Sequence, residues 1–201
     1  MGCLAGPVVV CAVAMTNAFY NKAHTKLRGV TDSKLLQAKQ REIFSAELLR
    51  EKDLLYALAL AYPKTIDKLN IYRASRLAMR KAIAKISNFQ FPISNQFSNF
   101  QLSKKDQWKP RSIVLVDGNK KIPGLMGEQK TIVGGDRKVF AISCASIIAK
   151  VYRDKMMVKY SKKYPNYGFE KHKGYGTKYH QAQLTALGPC DIHRKSFRLK
   201  Y

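Results

Sequence analysis

The run Ile113-Val114-Leu115-Val116-Asp117-Gly118-Asn119 constrains the fold more than any other stretch, because an unbroken aliphatic segment ends there in a carboxylate on a glycine turn. Four such residues without alternation read as a strand covered on both faces, the kind found in the middle of an α/β sheet. Ligand sites in helix-covered sheets form where the chain leaves the carboxyl ends of the strands, so Asp117 is placed for chemistry. Taken alone, Asp-Gly reads first as a plain turn.

A second acid changes that weighing. Val139 to Val158 reads as a helix in which Ile147, Val151 and Asp154 fall at i, i+4 and i+7, so the Asp154 carboxylate lies on the face meant for the core. Arg153 and Lys155 point off that face on this reading. A buried carboxylate is tolerated only when paired or bound to metal, so Asp154 needs either a buried basic partner or a cation.

A length of 201 residues with 46% hydrophobic content gives one domain, residues 1–201, with a sizeable core, and excludes disorder throughout. Thirty-seven Lys and Arg against 13 Asp and Glu leave a net charge of +24, which points to a polyanionic partner. Nucleic acid fits, since neutralised phosphates release counterions and give salt-sensitive affinity. No stretch approaches the roughly 20 apolar residues a membrane span needs, and the apolar start has no basic segment before it, so a cytoplasmic protein is expected. Cys3, Cys11, Cys144 and Cys190 are scattered singly and suggest reduced thiols rather than a disulfide framework. Cys190 and His193 have the spacing of half a zinc site, with no matching second half.

In chain order, Val8 to Met15 is another continuous apolar strand, one that wants a neighbour on each side. Asp32 and Ser33 read as a cap for a helix running to about Arg50, and Lys34 reads as a phosphate contact or a solvated lysine. Leu54 to Tyr62 reads as a strand stopped by Pro63, followed by a helix from Thr65 to about Ile86. Residues 87–111, rich in Phe, Asn, Gln and Ser, read as an inserted loop whose aromatics staple it to the core or stack on bases. Gln129 to Val133 is a short strand. Gly134-Gly135-Asp136 then turns into the Asp154 helix, with backbone N–H groups suited to an anion.

Residues 159–201 form a helical C-terminal portion dense in aromatics, bases and glycines. Tyr175 lies between Gly174 and Gly176, where a ligand backbone can approach closely, and Lys173 beside it suits a phosphate. A packed structural loop explains the same residues equally well.

Taken together, the ordered blocks resemble bacterial ribonuclease HII over almost the whole chain. They are Gly-Cys-Leu-Ala-Gly-Pro-Val at 2–8, Thr-Asp-Ser-Lys at 31–34, Val-Asp-Gly-Asn at 116–119 and Gly-Asp at 135–136. They continue with Ala-Ser-Ile-Ile-Ala-Lys-Val-Tyr-Arg-Asp at 145–154, His-Lys-Gly-Tyr-Gly-Thr at 172–177 and Gly-Pro-Cys-Asp-Ile-His-Arg-Lys-Ser-Phe at 188–197. The resemblance implies an α/β, RNase H-like mixed sheet flanked by helices. It also implies endonucleolytic cleavage of the RNA strand in RNA/DNA hybrids, or at ribonucleotides embedded in DNA, by a monomer. Asp117 and Asp154 match two of the family's four acidic ligands for a pair of Mg²⁺ or Mn²⁺ ions. Tyr175 matches the residue that reads the RNA-to-DNA junction, and Gly2, Lys34, Asp136 and Lys173 are assigned to substrate binding.

One departure accompanies the match. The family pattern places a first strand ending in Asp-Glu, then Gly-Arg-Gly, ahead of this point. Gly2 corresponds to the last glycine of that motif, and Met1 stands at the arginine. With two ligands of four, the 201 residues are expected to be inactive or nearly so, as a late gene start would leave them. The other reading is a basic nucleic-acid-binding protein without catalysis.

Overall fold

The structure, a computed structural model, describes residues 2–26, 29–30, 32–87 and 113–197. The Phe-rich insertion lies outside the described residues apart from Ser87. The chain gathers into two compact units interleaved in sequence. One comprises Met1–Val9, Leu60–Ala78 and Ala149–Tyr201, and the other Val10–Ala59 and Met79–Ile148.

The second unit is built on strands. β1 (Val8–Met15) neighbours β2 (Leu54–Ala61), and β3 (Ile113–Asp117) neighbours β4 (Glu128–Ile132). The β3 and β4 strands are parallel, with Ile113 opposite Glu128 and Asp117 opposite Ile132. Successive residues of β1 point to opposite faces. Cys11, Val13 and Met15 pack with Phe140, Cys144 and Ile148, while Ala12 packs with Met79, Ile83, Val114 and Val116. The sheet residues are therefore covered by α6 (Phe140–Lys163) on one side and α4 (Ile71–Ser87) on the other.

Three boundaries differ from the sequence reading. The helix expected from Asp32-Ser33 begins at Ala38 and forms α2 (Ala38–Arg50), because Gln37 and Gln40 close a reciprocal capping box there. Asp32 makes the local turn bond expected of it ahead of the helix, accepting from the Lys34 N–H at 2.9 Å. The helix expected from Thr65 to Ile86 splits at Asn70, whose φ of 65° is left-handed, into α3 (Pro63–Leu69) and α4. Pro63 starts α3, since a missing N–H costs nothing in the first turn. Between β1 and α2 lies α1 (Asn17–Lys26), which the sequence reading did not name. The Thr16 hydroxyl caps it by accepting from the Phe19 N–H at 3.1 Å, and Phe19 and Ala23 bury its inner face.

The first unit is held on Phe169, Met157, Tyr167, Ala5 and Ile192. Its C-terminal portion is helical, with α7 (Phe169–His172) and α8 (Lys178–Leu187). Here Arg153 corrects the sequence reading. It is buried rather than turned off the core face, and its guanidinium donates to the carbonyls of Ala5 at 3.1 Å, Pro7 at 3.2 Å and Lys173 at 2.9 Å. Arg194 does the same for Gly6 at 2.9 Å. Residues 2–7 thus run as an irregular segment whose buried carbonyls are satisfied by two arginines rather than by a strand.

Candidate active site

Asp117 ends β3 with its side chain exposed, and its Oδ1 accepts from the Gly135 N–H at 2.9 Å. The turn at Gly134-Gly135 does hold an anion, as its sequence suggested, but that anion is the chain's own carboxylate. A Cβ at Gly135 would lie 2.6 Å from Ile142 Cδ1 and 3.3 Å from Asp117 Oδ1, so a larger residue there would have to displace the Ile142 methyl and crowd the Asp117 carboxylate. Asp136 follows directly, in the first turn of α5 (Gly135–Lys138), and is mostly buried. Lys34 Nζ lies 3.5 Å from Asp136 Oδ2 and 4.0 Å from Asp32 Oδ1, while its side chain stays 73% exposed.

Asp32 is fully buried and anchors this cluster, accepting from the Lys34 N–H at 2.9 Å and from Arg137 Nε at 3.0 Å. Burial alone would raise its pKa. The Lys34 N–H, the Arg137 guanidinium and the Lys34 ammonium outweigh that and hold it below the usual carboxylate range. Ser33 adds a 2.9 Å hydrogen bond to Ser146. An acid at a strand end, a second acid beside its donor and an exposed lysine across from them make a site suited to a hard cation and a phosphate. Among the described residues no three metal-ligating side chains converge into a closed site.

In the first unit, Asp154 Oδ1 accepts from Lys150 Nζ at 2.8 Å, one turn back on α6, and both side chains are 18% exposed. Of the two partners its sequence allowed, the structure shows a basic residue. The Lys150 ammonium also lies 5.3 Å from the Tyr175 ring centroid, and the Arg153 guanidinium 5.8 Å. Tyr175 is 41% exposed and forms an isolated antiparallel bridge with Cys3, which brings Gly2 alongside. Lys173 has a left-handed φ of 51° and turns its ammonium onto the Glu170 carbonyl.

The profile of the ribonuclease HII family matches residues 1–200. The chain is also 44% identical over 196 residues to the ribonuclease HII of Caldicellulosiruptor bescii, covering 98% of this chain and 81% of that protein. The chain belongs to the ribonuclease HII family.

As a ribonuclease HII, it is by family an enzyme of the type 2 ribonuclease H class, and the family depends on divalent metal. Two solved structures carry the same fold. The ribonuclease H2 of Pyrococcus horikoshii superposes with a TM-score of 0.65 at 25% identity, covering 98% of this chain and 89% of that one. The RNase HII in the PCNA:RNase HII complex of Archaeoglobus fulgidus gives 0.62 at 23%, covering 100% and 92%. The architecture is therefore RNase H-like, as the resemblance implied.

Several contacts that shape the chain carried no local signal. Asp32 and Arg137 meet across 105 positions, and Asp67 of α3 receives the Lys195 and Ser196 N–H groups at 3.1 and 2.9 Å. His180 and His193 form a hydrogen-bonded pair that also takes in Cys190. His193 Nδ1 accepts from the Cys190 N–H at 2.9 Å, and the two Nε2 atoms of His193 and His180 meet at 3.0 Å. His180 Nδ1 faces the Tyr175 carbonyl at 2.9 Å. A carbonyl only accepts and a backbone N–H only donates, so His180 Nδ1 carries a proton and His193 Nδ1, facing the Cys190 N–H, is bare. His172 follows the same logic, with Nε2 on the Tyr167 carbonyl at 2.7 Å and Nδ1 accepting from Gly174 at 3.1 Å.

Proposed function

We propose that the chain cleaves the RNA strand of RNA/DNA hybrids, or DNA at an embedded ribonucleotide, with Asp117 holding the catalytic cation. The observation that carries this is the Asp117 carboxylate, fixed by Gly135 yet exposed at the carboxyl end of β3. Asp136, one residue beyond the donor, is the second acid on the same turn. Mg²⁺ or Mn²⁺ takes one or two carboxylates and completes its coordination with water and phosphate oxygens, for which the exposed Asp117 carboxylate leaves room. When bound, such ions supply Lewis acidity at the scissile phosphate and lower the pKa of the attacking water.

The other residues take supporting roles. Lys34 bridges two acids with most of its length in solvent, and a substrate phosphate there gains a direct ion pair. Asp154, in its own unit, is assigned to a cation whose place Lys150 now takes. Tyr175 and Gly2 are assigned to the junction nucleotide, whose 2′-hydroxyl separates RNA from DNA. Lys173 reaches a phosphate once it leaves the Glu170 carbonyl.

The test is cleavage of a duplex carrying one ribonucleotide, with Mn²⁺ and excess protein. We expect a slow cut at the ribonucleotide that disappears in Asp117→Asn, slow because few acids hold the metal. Salt-sensitive binding with no cleavage above the Asp117→Asn background would instead give the non-catalytic reading.

A further inference from the structure

Charge is spread unevenly along the chain. Residues 37–53 carry four bases and four acids, and so no net charge, in a chain whose total is +24. That stretch contains α2. Its local neutrality offers a polyanion nothing and does not repel a basic protein.

The helix buries one face only. Ser45 and Leu48 are buried, and Arg41 beside them donates to the Ser33 carbonyl at 2.9 Å. On the opposite side Lys39, Glu42, Ile43, Leu49 and Arg50 all fall within about 60° of Ala46 around the helix axis. Every one of these residues is exposed, Ala46 included. Ile43 keeps 49% of its surface in solvent and Leu49 44%. A small apolar centre with a charged rim is the anatomy of an interface.

The order of the residues says what covers this face. Counted outward from Ala46, Leu49 mirrors Ile43, Arg50 mirrors Glu42, and Asp53, three residues past the end of α2, mirrors Lys39. A two-fold axis through Ala46 therefore sets Ile43 against Leu49 of a second copy and every rim charge against its opposite. Parallel packing would set Glu42 against Glu42 and Arg50 against Arg50. The small side chain of Ala46 at the crossing lets the two axes approach to about 8 Å, the close end of helix packing.

We propose that α2 is a self-association surface, on which a second copy of this chain packs its own α2 antiparallel about Ala46. The interface is isologous, so each contact occurs twice and a change in one pair is felt twice. It departs from the monomer that the resemblance implies, and it is independent of the nuclease reading. A helix about 20 Å long buries less than the roughly 1,200 Å² of a stable interface, so the association is weak and depends on concentration.

The test is sedimentation velocity on the 201-residue protein, from about 10 μM to 1 mM. Salt is held at about 0.15 M, where the screening length is about 8 Å and charges in contact dominate. We expect the average mass to rise with concentration towards that of a dimer. Glu42→Lys and Arg50→Glu, both at exposed positions, each set like charges opposite one another twice. Each is expected to weaken association by about fivefold or more, with circular dichroism unchanged. Mixed in equal amounts, the two variants associate again, because every rim pair between them is then of opposite sign. Ala46→Arg, which puts a long charged side chain on the axis, is expected to remain monomeric. A wild-type protein that is monomeric throughout the range overturns the proposal. So does a dimer that the single changes leave untouched, which would lie on another surface, or a mixture that associates no better than its parts, which excludes the two-fold pairing. Cleavage activity enters none of these readouts, so the failure of either reading leaves the other standing.

Discussion

A carboxylate that faces solvent at a strand end keeps one orientation only if something rigid donates to it, and the Gly135 N–H does this for Asp117. The closeness of that turn gives a sharp test. In Gly135→Ala the new methyl meets Ile142 and the Asp117 carboxylate together. Overpacking of this kind costs about 1–3 kcal/mol, and displacing a ligand's donor weakens metal affinity by on the order of tenfold or more. Thermal unfolding and Mn²⁺ titration of Gly135→Ala are expected to show both losses, and wild-type affinity in a folded variant would show that the hydrogen bond does not position the acid. At this scale the sequence was legible where chemistry and local pattern coincide. Asp117 interrupts an apolar run, and a strand end is readable from that run alone. Arg153 was not legible, because its burial depends on carbonyls of residues 5–7, nearly 150 positions away. Helical periodicity says which way a side chain leaves the helix, and says nothing of a distant irregular segment that requires a guanidinium.

Among the elements, the strands were the most readable, since β1, β2 and β3 lie within the apolar runs that suggested them and β4 (Glu128–Ile132) is shifted by one residue from the expected Gln129 to Val133. The helix junctions were less so. Asn70 breaks what looked like one helix, and Thr16 caps a helix whose apolar spacing, Phe19 and Ala23, is too sparse to register as a stripe. The segment joining α7 to α8 carries a testable property. Burial depresses the pKa of His172 and His193, and that of His180 to about 4, against the ordinary value near 6.5. The folded state therefore holds these rings neutral. A depressed histidine pKa contributes stability that is fully present above the unfolded value and is lost as pH falls from about 6.5 towards 4. Protonation places an N–H against the Gly174 N–H, against the partner Nε2–H of the His180 and His193 pair, or against the Cys190 N–H. For His180 alone the shift corresponds to on the order of 3 kcal/mol. The protection of the Gly174 and Tyr175 amides, measured against their intrinsic exchange rates at each pH, is expected to fall between pH 6.5 and 4 while that of β3 amides holds steady. Unchanged protection of Gly174 across that range would contradict the tautomer assignment.

Over the whole molecule, the +24 charge gave the class of partner before any residue was placed, because electrostatic attraction to a polyanion depends on the sum rather than on the arrangement. The division into two interleaved units was not visible in sequence. One unit draws segments from both ends and the middle of the chain and the other takes the two stretches between them, and no composition change marks where α4 or α6 passes from one to the other. Among described residues no helix is long and apolar enough to cross a membrane, in line with the absence of a spanning segment in the sequence. The functional account depends on a single property, that the exposed Asp117 carboxylate binds a divalent cation. Titration of the 201-residue protein with Mn²⁺, followed by the loss of the free-ion paramagnetic signal, measures it without requiring turnover. The account predicts that Asp117→Asn weakens the tightest Mn²⁺ binding at least tenfold while leaving the fold intact by circular dichroism. Equal Mn²⁺ affinity in the wild-type and Asp117→Asn proteins would contradict it.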